Sequence, residues 1–258
     1  MKSLFLAIPA VLLLCSFNLA QEQHADDVDS QDCPVAQYTM GLRFQQQSGE
    51  VRALQLQAFG IATERIDAAV KGVADPSSLA IVSDLDETVI SNMALLARDV
   101  LNCHSFDRWD TWTPWERDGV PTLIPGAKEF LDHVDSLGVT IRYISDRMGN
   151  QKSYTLATLE KLGLPQVSDE SVMLLGLTKA ERRAQVDEEF EIVLLLGDTL
   201  HDFDARFRKT PLEVQKAVVA EETAKWGKQW IVLPNASHGT WAKAELEAWD
   251  AETVLEGW

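Results

Sequence analysis

The spacing of apolar residues changes along the chain, and each change marks a different kind of element. No proline occurs between about Tyr38 and Val70, and Phe44, Val51, Leu54, Ala58 and Ile61 recur at steps of seven, three, four and three. That is the repeat of an amphipathic helix, read here as one long helix or two. Asp75-Pro76-Ser77-Ser78 breaks it. Short apolar runs then recur at Leu79–Ser83, Val139–Ile144, Val172–Leu175, Ile192–Leu196 and Trp230–Leu233. They are too short for helices and rich in Val, Ile and Leu, so they read as strands. Helical stretches fall between and after them: Gly126–Leu137 and Ser153–Leu162, each followed by a glycine, then Lys179–Glu189 and Trp241–Leu255. The stretch 92–125 has no strong period. It carries Trp109, Trp112 and Trp115 and is punctuated by Pro114, Gly119, Pro121 and Pro125.

Strands alternating with helices imply an α/β fold: a Rossmann-like, mostly parallel five-stranded sheet flanked by helices, with right-handed crossovers. The aperiodic stretch reads as a small insertion, a cap after the first strand. In such a sheet ligands bind beyond the carboxyl ends of the strands. Three of these ends are polar: Asp84 and Asp86, then Ser145, then Asp198 and Asp202. They fall along one sheet edge, so distance in sequence does not keep them apart.

Asp84 and Asp86 are two residues apart, and on an extended segment they face one ligand together. Two carboxylates at ~4 Å repel by about 4 kcal/mol at an effective dielectric of ~20. Such a pair shares a proton or holds a cation. With Asp198 and Asp202 it forms an all-oxygen set suited to Mg2+. No cysteine–histidine set has zinc spacing. Beside a cation, one aspartate can attack phosphorus and a second carboxyl can shuttle the proton. Lys179 can neutralise phosphoryl oxygens as a point charge, and Ser145 can donate to them. Packing is the favoured reading of the tryptophans, with Trp112 and Trp115 also candidates to stack on a substrate. Arg182 and Arg183 read as a solvated or ion-paired helix face, and His201 and His238 as ordinary polar residues.

The chain has 258 residues and a net charge of −17. So acidic a surface argues against nucleic acid and against docking on an anionic membrane through a basic patch. Lys2 precedes an apolar run, Leu4–Leu14, too short to span a bilayer but suited to a secretory signal ending near Ala20. Residues 1–20 are therefore expected to be a signal peptide, 21–36 an acidic tether and 37–258 the folded domain, with its insertion at about 92–125. Periplasmic or cell-surface export is preferred to a lipid anchor at Cys15, because Leu14 precedes that cysteine. Cys33 and Cys103 remain after cleavage; export makes a bridge feasible, and the sequence leaves it open.

Asp84-Leu85-Asp86-Glu87-Thr88 resembles the first motif of the haloacid dehalogenase (HAD) superfamily of phosphohydrolases. The resemblance is closest to class C acid phosphatases, the lipoprotein e family with four aspartates. It runs from about Phe44 to Trp241 and includes Gln46-Gln47-Ser48-Gly49-Glu50, Ile124-Pro125-Gly126-Ala127, Lys179 with Arg182-Arg183, Gly197-Asp198, Asp202-Phe203 and Ile231-Val232-Leu233-Pro234-Asn235. It implies a phosphomonoesterase acting on small molecules. Asp84 would be nucleophile and metal ligand. Asp86 would be acid/base, offering its backbone carbonyl to the metal. Ser145 and Lys179 would hold the phosphate, Asp198 and Asp202 would complete the Mg2+ site, and Thr88 would support the phosphate loop. The chain departs from the family at Asp146 and Thr199, where asparagine is usual, and at Met93-Ala94-Leu95 and His238, where aromatics are usual. Those aromatics stack a nucleobase, so the preference for 5′-nucleotides is left open, as is the oligomeric state, a homodimer included. The alternatives are phosphotransfer on the same scaffold and a non-catalytic surface binding or storage protein.

Overall fold

The computed structural model describes Cys33 and residues 35–105 and 108–247. The signal segment, nearly all of the acidic tether and the last part of the expected terminal helix lie outside the described residues.

The first helical stretch is two helices, α1 (Thr39–Gln47) and α2 (Gly49–Val70). Ser48 separates them. Its backbone is extended, and its Oγ accepts from the Val51 amide at 3.1 Å, an N-cap that starts α2. The chain continues as β1 (Leu79–Ser83), β2 (Ile90–Ser91), α3 (Met93–Leu101), α4 (Trp112–Asp118), β3 (Thr122–Leu123) and α5 (Ala127–Ser136). Then come β4 (Thr140–Met148), α6 (Lys152–Lys161), β5 (Val172–Leu175), α7 (Lys179–Asp187), β6 (Glu191–Gly197), α8 (Leu212–Glu221) and β7 (Trp230–Val232).

The main sheet has the order β5-β4-β1-β6-β7, with every described pairing parallel. β1 lies at its centre and is buried on both faces. Leu79 and Ile81 point into a core with Phe59 and Ile66 of α2 and Phe130 and Leu131 of α5. Ala80 and Val82 point to the other face, with Ile144 and with Val186 of α7. Two helical layers thus fix β1, and its carboxyl end is held by its neighbours β4 and β6.

The stretch after β1 is more structured than its lack of period suggests. It contains α3 and α4, and β2 pairs antiparallel with β3 at its base, Ile90 opposite Leu123. A satellite core of Cys33, Val35, Leu42, Met93, Leu96 and Trp112 seats it on the N-terminal arm. A Cys33–Cys103 disulfide joins the two, closing the bridge that the sequence left open.

Two helix assignments differ from the sequence pattern. α8 has no counterpart there, because it buries only Gln215 and Val218 and so shows no apolar stripe. The expected helix from Trp241 is a single 3-10 turn, Thr240–Lys243, and no helix continues through Glu247. Leu246, which would lie on its apolar side, is fully in solvent; without a face to pack, so short a helix is marginal. No described helix is long and apolar enough to cross a membrane.

Candidate active site

The three polar strand ends belong to adjacent strands, and the fold brings them together. Past Ser83, the Asp84 amide donates to the Leu196 carbonyl at 2.9 Å, carrying the β1–β6 pairing one residue further. That fixes the Asp84 carboxylate opposite the end of β6. Lys179 Nζ lies 2.6 Å from Asp84 Oδ1 and 2.5 Å from Asp202 Oδ1, and all three side chains are buried. One carboxylate oxygen from each of Asp84, Asp198 and Asp202 lies within 4.8 Å of the others. Thr88 Oγ1 is 3.3 Å from Asp198 Oδ1 and 3.5 Å from Asp84 Oδ2.

Local structure explains each placement. Thr178 and Glu181 form a reciprocal capping box that starts α7, which sets Lys179 at the first helical position. A cation is disfavoured at a helix N-terminus; here two carboxylates hold it. Asp202 returns toward β6 because its Oδ2 accepts from the Thr199 amide and hydroxyl at 2.9 and 2.8 Å. This return runs so close to Gly197 that a Cβ there would stand 2.4 Å from the Asp202 side chain. Asn235, three residues past β7, donates to Asp198 Oδ2 at 2.5 Å.

Asp86 occupies a second compartment. β1 has ended, and Leu85 drops into the core between the two aspartates. Among the described residues, the three-carboxylate cluster does not include the Asp86 side chain, so Asp86 does not join Asp84 as a carboxylate ligand of one cation. The carboxylate accepts from Ser145 Oγ at 3.1 Å, from Asn92 Nδ2 at 2.8 Å and from Arg147 through Nη2 at 2.8 Å and Nε at 3.0 Å. β4 runs on to Met148, so Ser145 and Arg147 share a face while Asp146 takes the other. Asp146 is therefore offset by Arg182 at 2.5 Å and by His201 at 3.4 Å, not by Arg147.

The electrostatics divide the same way. Burial raises the Asp84 carboxyl well above the ordinary range, Lys179 opposes this, and Asp202, Asp198 and Asp86 add to it. Burial and Asp202 raise Asp198 too. Asp202 is held low: burial pushes it up, but Lys179, His201 and the Thr199 donors prevail. Burial also works against ionised Asp86, yet Arg147 with the Asn92 and Ser145 hydrogen bonds holds it below its usual value. Lys179 stays charged, because Asp202 and Asp84 outweigh its desolvation. One ammonium therefore leaves the first compartment short of positive charge, and three hard oxygens close together fit a divalent cation.

Trp112 is buried in the satellite core, which leaves it almost no face for a substrate. Trp115 is half-buried, and its Nε1 donates to Asn92 Oδ1 at 2.7 Å. Arg182 and Arg183 are buried rather than solvated; Arg182 donates to the Ser145 carbonyl at 2.6 Å and Arg183 to the Asp202 carbonyl at 2.7 Å. His238 pairs with Glu87 at 3.1 Å. Burial lowers its pKa, but Glu87, Asp198 and Asp86 outweigh that and lift it to about 9. It is an imidazolium near neutrality rather than an ordinary polar residue. Asn92 and Glu116 escaped the sequence reading, since both lie in the stretch without a period.

The family described as HAD superfamily, subfamily IIIB (acid phosphatase) matches this chain over residues 7–241. The class C acid phosphatase from Bacillus anthracis superposes with a TM-score of 0.77 at 31% identity, covering 84% of this chain and 99% of its own. A crystal structure of the class C acid phosphatase from Bacillus anthracis with tungstate bound gives 0.77 at 32% identity, covering 84% and 93%.

Proposed function

Because the chain belongs to the acid phosphatases of HAD subfamily IIIB and is a phosphomonoesterase, we propose that it is an exported, Mg2+-dependent enzyme. It hydrolyses small phosphomonoesters, with 5′-nucleotides among the candidate substrates, through an aspartyl-phosphate on Asp84. The observation that carries this reading is the Asp84 carboxylate, held by Lys179 within 4.8 Å of the Asp198 and Asp202 oxygens. The relative with tungstate, an oxyanion, bound supports it.

Asp84, Asp198 and Asp202 would hold the cation with their carboxylates, and Asp86 with its backbone carbonyl. Bound there, it supplies positive charge for the phosphoryl oxygens and lets an anionic nucleophile face them. Lys179, Thr88 and Ser145 orient the phosphoryl group. Asp84 attacks phosphorus as the bond to the leaving oxygen breaks, and Asp86 gives that oxygen its proton. Asp86 then takes a proton from water as the water oxygen attacks phosphorus, which releases phosphate and restores Asp84.

The depressed pKa of Asp86 favours its carboxylate, the form that takes the proton from water in the second step, and confines the protonated form needed for the first step to low pH. Export is supported by the apolar N-terminal run and by the Cys33–Cys103 bridge, which an oxidising compartment sustains. The test is phosphate release from p-nitrophenyl phosphate and from a 5′-nucleotide, with Mg2+ and with EDTA. Release that EDTA stops and Mg2+ restores is the expected result. Full turnover in EDTA would refute the metal dependence, and no turnover of any phosphomonoester would refute the reading as a whole.

A further inference from the structure

A series of polar side chains leads outward from the carboxylate cluster. Asp202 Oδ2 accepts from the Thr199 hydroxyl at 2.8 Å. The same hydroxyl oxygen lies 3.1 Å from His201 Nδ1. Across the ring, His201 Nε2 lies 3.4 Å from Asp146 Oδ2. Asp146 is held in turn by Arg182, whose Nη2 donates to its Oδ1 at 2.5 Å. Arg182 is buried and tied to the sheet, because its Nη1 donates to the Ser145 and Met173 carbonyls at 2.6 and 2.8 Å. The series thus joins the turn after β6, which carries Asp202, to β4 and α7, which carry Ser145 and Lys179. Burial falls off along it: the Asp202 side chain is 3% exposed, His201 32% and Asp146 48%, so a change at the outer end does not open the core.

Donor and acceptor roles follow from the two ends. Asp202 accepts from Lys179 through Oδ1 and from the Thr199 amide through Oδ2, so it is the acceptor for the Thr199 hydroxyl as well. A threonine hydroxyl has one proton. Given to Asp202, that proton is not available to His201, so Nδ1 donates to the hydroxyl oxygen. At the other end Asp146 accepts from Arg182 and faces Nε2, so the ring donates there too. A bare acceptor in place of Nδ1 would draw the Thr199 proton away and leave Asp202 Oδ2 with the amide alone. Partners of this kind orient a ligating carboxylate and set its basicity.

We infer that His201, held by Asp146, is a positioning residue for Asp202. It commits the Thr199 hydroxyl proton to that carboxylate, and this fixes Asp202 for the cation. This rests on the Mg2+-dependent reading above and names residues beyond the carboxylates that tune its site.

Mg2+ binding to the substrate-free enzyme, measured by isothermal titration calorimetry, tests this apart from turnover. His201→Phe and Thr199→Val are each expected to raise the Kd for Mg2+ about tenfold, the loss that follows removal of an outer partner of a metal ligand. The double variant should bind no more weakly than either single one, because the two residues act in series; independent effects would multiply to about a hundredfold. Thr199→Ser keeps the hydroxyl and should bind as the wild type does. In turnover assays the His201→Phe loss should appear at limiting Mg2+ and vanish at saturating Mg2+, a split that a merely structural role would not give. Asp146→Asn loosens the hold on the ring and should raise the Kd in the same direction. An unchanged Kd in His201→Phe overturns the inference, as does an unchanged Kd in Asp146→Asn if His201→Phe does not fold. So do losses that multiply in the double variant, and a Thr199→Ser enzyme that binds as weakly as Thr199→Val. A wild-type enzyme that binds no Mg2+ and turns over fully in EDTA would instead mean that the Mg2+-dependent reading has failed.

Discussion

Replacing Arg147 with methionine isolates what its guanidinium does to Asp86. Its Nη2 and Nε lie 2.8 and 3.0 Å from Asp86 Oδ1, and the arginine is buried. At a charge separation of ~4 Å and an effective dielectric of ~20, the attraction is about 4 kcal/mol. One pKa unit corresponds to about 1.36 kcal/mol, so the ceiling is about three units, and opposite charges at such range commonly shift a carboxylate by about 1–3. The wild-type Asp86 carboxyl sits below its ordinary value; in Arg147→Met, burial is opposed only by the Asn92 and Ser145 donors, and the pKa rises. If Asp86 must be protonated to release the alcohol, the alkaline limb of the kcat profile moves up by about 1–3 pH units. The stability consequence has a matching sign. A depressed carboxyl stabilises the fold above its unfolded pKa and loses that contribution as pH falls through the folded value. The variant should lose that part of the wild-type's acid sensitivity. The assay is phosphate release across the acid and neutral range, with unfolding midpoints at the same pH values. Arg147→Lys keeps a charge without the fork and should shift the limb less. An alkaline limb at the same pH in wild type and Arg147→Met, with kcat merely lowered, would refute the claim that Arg147 sets the protonation of Asp86.

Gly197→Ala should push Asp202 out of the cluster, since the new Cβ would stand 2.4 Å from its side chain. At least a tenfold rise in the Mg2+ concentration for half-maximal activity is expected, and an unchanged Mg2+ titration would count against Asp202 as part of the site. Thr178→Ala removes one half of the capping box that places Lys179; urea unfolding should show a loss of about 0.5–2 kcal/mol, with a raised KM for phosphomonoesters. Cys33→Ser opens a cross-link with a sequence separation of 70. The chain-entropy relation then gives a loss of about 4 kcal/mol, read as the difference in denaturant midpoint from the wild type, and a midpoint unmoved by the substitution would contradict a bridge in the folded protein.

The sheet was legible because its strands are short apolar runs, the central one buried on both faces, and such runs stand out without an alignment. Leu79–Ser83 and Val172–Leu175 were read at the bounds the structure shows. α8 was not, because its burial rests on a glutamine and one valine and gives no period. Motif spacing identified Asp84, Lys179, Asp198 and Asp202, which the structure brings together. It did not reveal that the Asp86 carboxylate lies outside that cluster, held instead by Asn92, Ser145 and Arg147. That depends on β1 ending at Ser83 and on Leu85 entering the core, a local turn that strand alternation misses. The offset of Asp146 by Arg182 likewise needed the register of β4, because only the extension of that strand to Met148 sends Asp146 and Arg147 to opposite faces. Asn92 and Glu116 carry no signal of their own in sequence. One holds Asp86, Glu87 and Trp115 at once, and the other is distinguished only by lacking a partner.

The central claim is that Asp84 takes the phosphoryl group. Enzyme turning over p-nitrophenyl phosphate with Mg2+ can be quenched in acid, digested and mapped by mass spectrometry. The peptide containing Asp84 should carry the mass of one phosphoryl group, labile to hydroxylamine, and Asp84→Asn protein should show neither the adduct nor phosphate release. Asp84→Asn protein that keeps full activity, or a phosphoryl group mapped to another residue, would contradict the account.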